Sequence, residues 1–189
     1  MSLSVVLYAV LIVLTGVERL VELVVSKRNA DWAFARGGVE FGKAHFPPMV
    51  ALHTGLLAAC LIETIAADRP FVPWLGWPML VVAMASQVLR WWCIFSLGRR
   101  WNTRVVVVPG LPLVLAGPYR WLRHPNYIVV IAEGIALPLV HSNWVTAIAF
   151  TALNAVLLFR FRIPIEERAL AFALAQEPVA PQPRGAATA

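Results

Sequence analysis

The sequence predicts an all-α integral membrane protein with about five transmembrane helices, on three observations. Of its 189 residues, 60% are hydrophobic and 14% charged, with a mean hydropathy of +0.73. A water-soluble domain needs about 25% charged residues to cover its surface. Apolar stretches recur at close to the ~20 residues that cross ~30 Å of hydrocarbon. The basic residues are confined to alternate loops between those stretches, as the positive-inside rule requires. A single domain over residues 1–176 follows, with a Pro/Ala-rich tail over 177–189 that has little to bury and reads as disordered.

The spans are taken in order. Leu3–Val25 is the first, and its last turns carry Glu18, Arg19 and Glu22. No basic leader or small-residue cleavage site precedes it, so it reads as a retained helix. Pro47–Ala66 is the second, bounded by His45-Phe46-Pro47-Pro48 and Asp68-Arg69-Pro70. Trp74–Leu97 is the third, Pro125–Val140 the fourth and Asn143–Phe161 the fifth. The fourth is short for a full crossing, and it meets the fifth at a tight helix–helix turn. Arg104–Leu115, β-branched and split by Pro109-Gly110, suits an extended hairpin or lid at the interface.

Alternating sides around five spans puts thirteen Lys and Arg residues on one face and Arg69 alone on the other. The rich face is then cytosolic and the N-terminus lies outside, which in a bacterium means the inner membrane. The formal charge of +6 is explained by these loops and their contact with anionic headgroups, so no nucleic-acid partner is expected. Cys60 and Cys93 sit inside apolar stretches without a CxxC or a nearby His, and read as small core residues. Glu133, two turns into the fourth span, is costly in hydrocarbon; it either lines a pocket or pairs with Arg90 in the third. Arg90 with Trp91 and Trp92 also suits a snorkelling cation among interfacial aromatics. His45 and His53 flank the start of the second span in a structural role, and His141 lies at the outer turn away from chemistry.

The chemistry is concentrated in two clusters. Arg123-His124-Pro125-Asn126-Tyr127 opens the fourth span, and Arg162-Ile163-Pro164-Ile165-Glu166-Glu167 follows the fifth. One apolar hairpin separates them, so they meet on one side of the bilayer. Arg162 and Glu166 are i, i+4 and share a helix face. A guanidinium there can fork onto a carboxylate or enolate oxygen, while a carboxylate and aromatic faces attract a cation. Pro164 interrupts the helix between them.

Leu113-Val114-x-x-Gly117-Pro118-Tyr119-x-x-x-Arg123-His124-Pro125-Asn126-Tyr127, followed by Arg162-Ile163-x-x-Glu166-Glu167-x-x-Leu170, resembles the isoprenylcysteine carboxyl methyltransferase family. These are integral-membrane enzymes that use S-adenosylmethionine (SAM). The strong match spans about Trp101 to Leu170, within a catalytic portion of 101–172. The upstream residues Glu18-Arg19-Leu20-Val21-Glu22-Leu23, Lys27-Arg28-Asn29, Gly37-Gly38-Val39-Glu40 and His53 look like a bacterial branch of the family. Some members of that branch are linked to O-methylation of alkylpyrones made by type III polyketide synthases. Family members often carry Gly two residues after the motif tyrosine, where this chain has Val129.

The resemblance implies a cytosolic C-terminal pocket for SAM, since the chain has no G-x-G-x-x-G turn for a Rossmann-type site. It implies that Leu113 and Val114 flank the adenine or ribose, and that Tyr119 and the segment His124, Pro125, Asn126 and Tyr127 wrap the amino-acid head and sulfonium. Glu166 would accept from the ammonium or ribose. Arg162 would hold the methyl acceptor, and His124 would be the base if that acceptor arrives as a neutral enol. No metal is called for. The expected reaction is O-methylation of a lipophilic acidic acceptor from the membrane, either a prenylcysteine carboxylate or an alkylpyrone-like enol. For the enol, a polyketide synthase is the pathway partner. Three alternatives remain open on sequence: phospholipid N-methylation, an NADPH-dependent reductase of sterol type, and a non-catalytic membrane scaffold.

Overall fold

The computed structural model describes residues 2–176; the tail expected over 177–189 lies outside them. Six helices and two short strands run in the order α1 (Leu3–Phe34), β1 (Val39–Phe41), α2 (Phe46–Ala66), α3 (Pro73–Leu97), β2 (Val105–Val107), α4 (Pro125–Leu139), α5 (Trp144–Leu157) and α6 (Ile163–Ala175). Among the described residues, four helical stretches are long and apolar enough to cross a membrane: Leu3–Phe34, Lys43–Ala66, Pro73–Arg100 and Trp144–Ala175. The chain is therefore a helical membrane protein. At 15 residues, α4 reaches about 22 Å, short of the ~30 Å hydrocarbon core. It is also the most thoroughly buried helix, enclosed by α3 and α5.

Three boundaries differ from the sequence expectation. The first helix continues nine residues beyond Val25, to Phe34. Its polar last turns are paid for by partners that a linear reading does not reveal: Ser26 Oγ donates to Asn102 Oδ1 at 2.7 Å, and Asn29 Nδ2 donates to the Trp101 carbonyl at 2.7 Å. The extended stretch after Arg104 does form a strand, but no hairpin of its own. Val105–Val107 pairs antiparallel with Val39–Phe41, Val39 opposite Val107. This small sheet packs on α6, with Phe41 and Phe172 rings 5.4 Å apart. Finally, the last span does not stop at Phe161. Leu158–Arg162 forms a π-turn in which the Ile163 N–H reaches back to the Leu158 carbonyl, and α6 continues from it. Pro164 explains the turn: it has no N–H for the carbonyl four residues earlier, and its ring crowds that carbonyl, so the helix widens by one residue.

The end of the bundle away from the motifs is fastened by the α4–α5 turn. Asn143 is fully buried and its Nδ2 donates to Thr64 Oγ1, the Cys60 carbonyl and Tyr8 Oη at 2.8–3.2 Å. Tyr8 Oη in turn donates to the Leu137 carbonyl at 3.0 Å. Glu63 of α2 accepts from the backbone N–H groups of Val145 and Thr146, capping α5 from another helix. His141 is buried here and stacks on Tyr8, remote from the motif clusters. Cys60 and Cys93 are free and fully buried.

Midway along the bundle an ionic network joins α1, α3 and α4. Glu133 accepts from Arg19 Nη2 at 2.5 Å, from Gln87 Nε2 at 2.9 Å and from Arg90 Nη2. Arg19 also pairs with Glu22 at 2.5 Å, and Trp91 Nε1 donates to Glu18 at 2.5 Å. Arg90 is therefore a buried partner of Glu133 and no snorkelling cation, and Trp91 is tied to Glu18 rather than to headgroups. Beside the network lies a cavity about large enough for one water, bordered by Arg19, His53, Glu133 and Phe150.

Candidate active site

The two motif clusters meet where α4 begins and α6 begins. Pro125 occupies the first turn of α4, where its missing N–H costs nothing. The wide turn before α6 leaves Leu158, Arg162, Ala169 and Ala173 on one buried face. Arg162 is thereby drawn inward to 7% exposure. Its Nε donates to Tyr127 Oη at 3.3 Å, and Tyr127 Oη donates to Glu166 Oε2. The tyrosine hydroxyl thus bridges the cationic and anionic halves of the site.

His124 stacks on the Tyr127 ring, centroids 5.3 Å apart. Its Nδ1 lies 3.2 Å from Glu166 Oε1 and its Nε2 lies 2.9 Å from Glu167 Oε1. A ring with a carboxylate at each nitrogen donates from both, so it is held as imidazolium; those hydrogen bonds, Glu166 foremost, raise its pKa above the ordinary value despite partial burial. The base expected of His124 would need a free lone pair, and neither nitrogen offers one in this arrangement. Arg123 touches Glu167 only at 3.5 Å in an exposed pair, which adds little.

His45, read from sequence as structural, reaches the site. Its Nε2 stands 3.0 Å from Arg162 Nη1, across a separation of 117 residues. The β1–β2 pairing and the left-handed Gly42 (φ 62°) deliver it there. A Cβ on Gly42 would fall 2.6 Å from the His45 ring, so only glycine fits. No local motif signals this contact; the Gly-x-x-His spacing alone hints at a tight turn.

Other expected site residues are less closely gathered. Tyr119 lies on the 3₁₀ turn Gly117–Arg120 beside Cys93 of α3. Leu113 is exposed and Val114 half-buried on the loop after β2, with no hydrogen bond to the cluster. Val129, in place of the family's glycine, is fully buried. Asn126 keeps a buried Oδ1 without a hydrogen-bond partner among the described residues.

Residues 79–172 match the isoprenylcysteine carboxyl methyltransferase (ICMT) family. The chain is also similar to the uncharacterized protein YpbQ of Bacillus subtilis (strain 168), 38% identical over 165 residues that cover 87% of this chain and 96% of that protein. The chain belongs to the isoprenylcysteine carboxyl methyltransferase family. An uncharacterized protein of Haemophilus influenzae is 25% identical over 155 residues, covering 80% of this chain and 88% of its own length. The family match begins within α3 and ends within α6, so it contains every motif residue above but excludes His45. Membership makes this a membrane methyltransferase, and family methyltransferases in general use SAM.

The residues present fit that donor. A sulfonium and an ammonium call for carboxylate and aromatic faces, which Glu166 and Tyr127 supply. The unpartnered Asn126 Oδ1 is an acceptor awaiting a donor. The first turn of α4 receives no side-chain cap from His124, so its N–H groups suit a carboxylate.

Proposed function

We propose that this protein transfers a methyl group from SAM to an oxygen of a lipophilic acidic acceptor at the cytosolic end of the helical membrane bundle. The observation that supports it is the Arg162–Tyr127–Glu166 chain, which sets a cation site and an anion site side by side through one hydroxyl. Glu166, Asn126, Tyr127, His124 and the first turn of α4 would hold the donor's amino-acid end and sulfonium. Tyr119, Leu113 and Val114 would border its adenosine. Arg162 would hold the acceptor, since a guanidinium favours a carboxylate or enolate oxygen and repels the cationic amine that N-methylation needs.

The bound donor supplies an electrophilic methyl on a positively charged sulfur. The chain's part is to orient and to dehydrate. Arg162 fixes one lone pair of the acceptor oxygen in line, and the buried wall of α4 excludes the water that would stabilise separated charges. The acceptor is a prenylcysteine carboxylate or an alkylpyrone-like enol reaching the site sideways from the inner leaflet. An enol of that kind would come from a polyketide synthase. Arg162→Ala and Glu166→Ala test the reading: each should abolish turnover, with Glu166→Ala also weakening SAM binding in detergent. Wild-type turnover in either variant refutes the site, and absence of SAM binding by the wild-type protein refutes the function.

A further inference from the structure

We propose that His45 is the base that takes the acceptor's proton, an inference that rests on the enol form of the O-methyl reading above, since a carboxylate acceptor arrives already ionised. Three observations carry it. His124 has both ring nitrogens committed to Glu166 and Glu167 and so lacks a lone pair. His45 has one, and its direction is known. Arginine only donates, so the Arg162 Nη1 contact at 3.0 Å requires Nε2 of His45 to be the acceptor. The remaining ring proton then sits on the buried Nδ1, on the side of the ring that faces Gly42. Finally, the Arg162 guanidinium gives Nε to Tyr127 and Nη1 to His45, while Nη2 makes no hydrogen bond among the described residues.

An acceptor oxygen that docks on the open Nη2 edge therefore arrives beside the Nε2 lone pair. Arg162 then turns from His45 to the incoming oxygen, which exchanges a neutral partner for one that becomes charged. The acceptor's O–H bond breaks, its proton passes to Nε2, and the oxygen keeps the electron pair, leaving imidazolium and oxyanion next to one guanidinium. That pair forms the new C–O bond as the C–S bond of the sulfonium donor breaks, its electrons going to sulfur. His45 then returns its proton to water. The step needs no group besides the acceptor, the donor and solvent.

Placement of His45 is built into the fold rather than fortuitous. It lies in a 3₁₀ turn between β1 and α2, held on one side by the strand pairing and on the other by Gly42 against Ile165. A neutral imidazole 3.0 Å from a guanidinium accepts one hydrogen bond without neutralising its charge. A carboxylate, however, would occupy Arg162 permanently and shut out an acidic acceptor. An imidazole holds the guanidinium weakly enough to be displaced.

The test compares His45→Gln with His45→Ala. Glutamine's carbonyl can still accept from Arg162 but takes no proton, so it separates a base from a prop. The probes are a 4-hydroxy-2-pyrone with a long alkyl chain for turnover, and a long-chain 4-nitrophenol for ionisation. Without SAM, wild-type protein should shift the bound nitrophenol's absorption to the phenolate form, and both variants should lose most of that shift. With SAM, kcat for the pyrone should fall about 100-fold or more in both variants, with SAM affinity within about threefold of wild type. His45→Gln that ionises the probe and turns over as wild type overturns the proposal. Wild-type protein that binds SAM yet methylates no hydroxyl probe counts instead against the enol acceptor on which it rests.

Discussion

Replacing Glu133 with alanine should be among the most damaging single changes outside the candidate site. The carboxylate is buried to 6% side-chain exposure and accepts from two guanidiniums and an amide. Without it, Arg19 and Arg90 share one carboxylate, Glu22, at 2.5 and 3.6 Å. A surface pair of this kind contributes at most ~1 kcal/mol. A buried one is different: removing one partner strands the other charge away from water, at a cost of about 3–5 kcal/mol. At the ~2–4 °C per kcal/mol that suits a chain of this length, the Tm should fall by roughly 6–20 °C. The protein carries its own reporter, since Cys60 and Cys93 are fully buried and become reactive to a thiol dye only on unfolding. A fall of less than about 3 °C in detergent would refute the claim that burial makes this network costly to break. The matched control replaces all four charges together: Arg19→Met, Glu22→Leu, Arg90→Met and Glu133→Leu. That variant should recover most of the loss, because apolar groups of similar size leave no charge of the network unpaired and only the neutral Gln87 amide loses its partners.

Arg162→Lys keeps the charge but loses the planar fork that reaches Tyr127 and His45 at once; acceptor turnover should fall about 100-fold with SAM affinity little changed, as measured by kinetics and calorimetry. The His124 bridge between α4 and α6 has a pH signature. Its pKa is raised from 6.5 by Glu166 and Glu167, so its stabilisation is fully present below pH 6.5 and is lost as pH rises through the raised folded value. The Tm gap between wild type and His124→Gln should therefore be widest at acid pH and close on going alkaline; a gap that widens with pH contradicts the imidazolium. Asn143→Leu leaves the Thr64 and Tyr8 hydroxyl oxygens without their buried amide donor and should cost about 2–3 kcal/mol by thermal unfolding. For orientation, Arg36→Cys and Asp68→Cys lie at opposite ends of the bundle; an impermeant maleimide on intact cells should label Asp68→Cys only.

Much of this protein was legible without coordinates. Hydropathy set the helical spans, because in hydrocarbon every backbone group must be satisfied within its own segment. The motif spacing singled out His124, Tyr127, Arg162 and Glu166, and a single helical hairpin was enough to bring them together. Glu133 announced a buried partner simply by being a carboxylate amid apolar residues. What stayed hidden depends on contacts between distant segments. The nine extra residues of α1 are held by Asn102 and Trp101, the strand at Val105 pairs with Val39–Phe41, and Arg19 joins Arg90 on Glu133. The wide turn before Pro164 turns Arg162 inward, and the β1 loop sets His45 against it. Composition and periodicity act along the chain and so determine which segments enter the membrane. Which nitrogen faces which oxygen is a three-dimensional matter of angstroms, and here it decides that one histidine is clamped by carboxylates while the other keeps a lone pair.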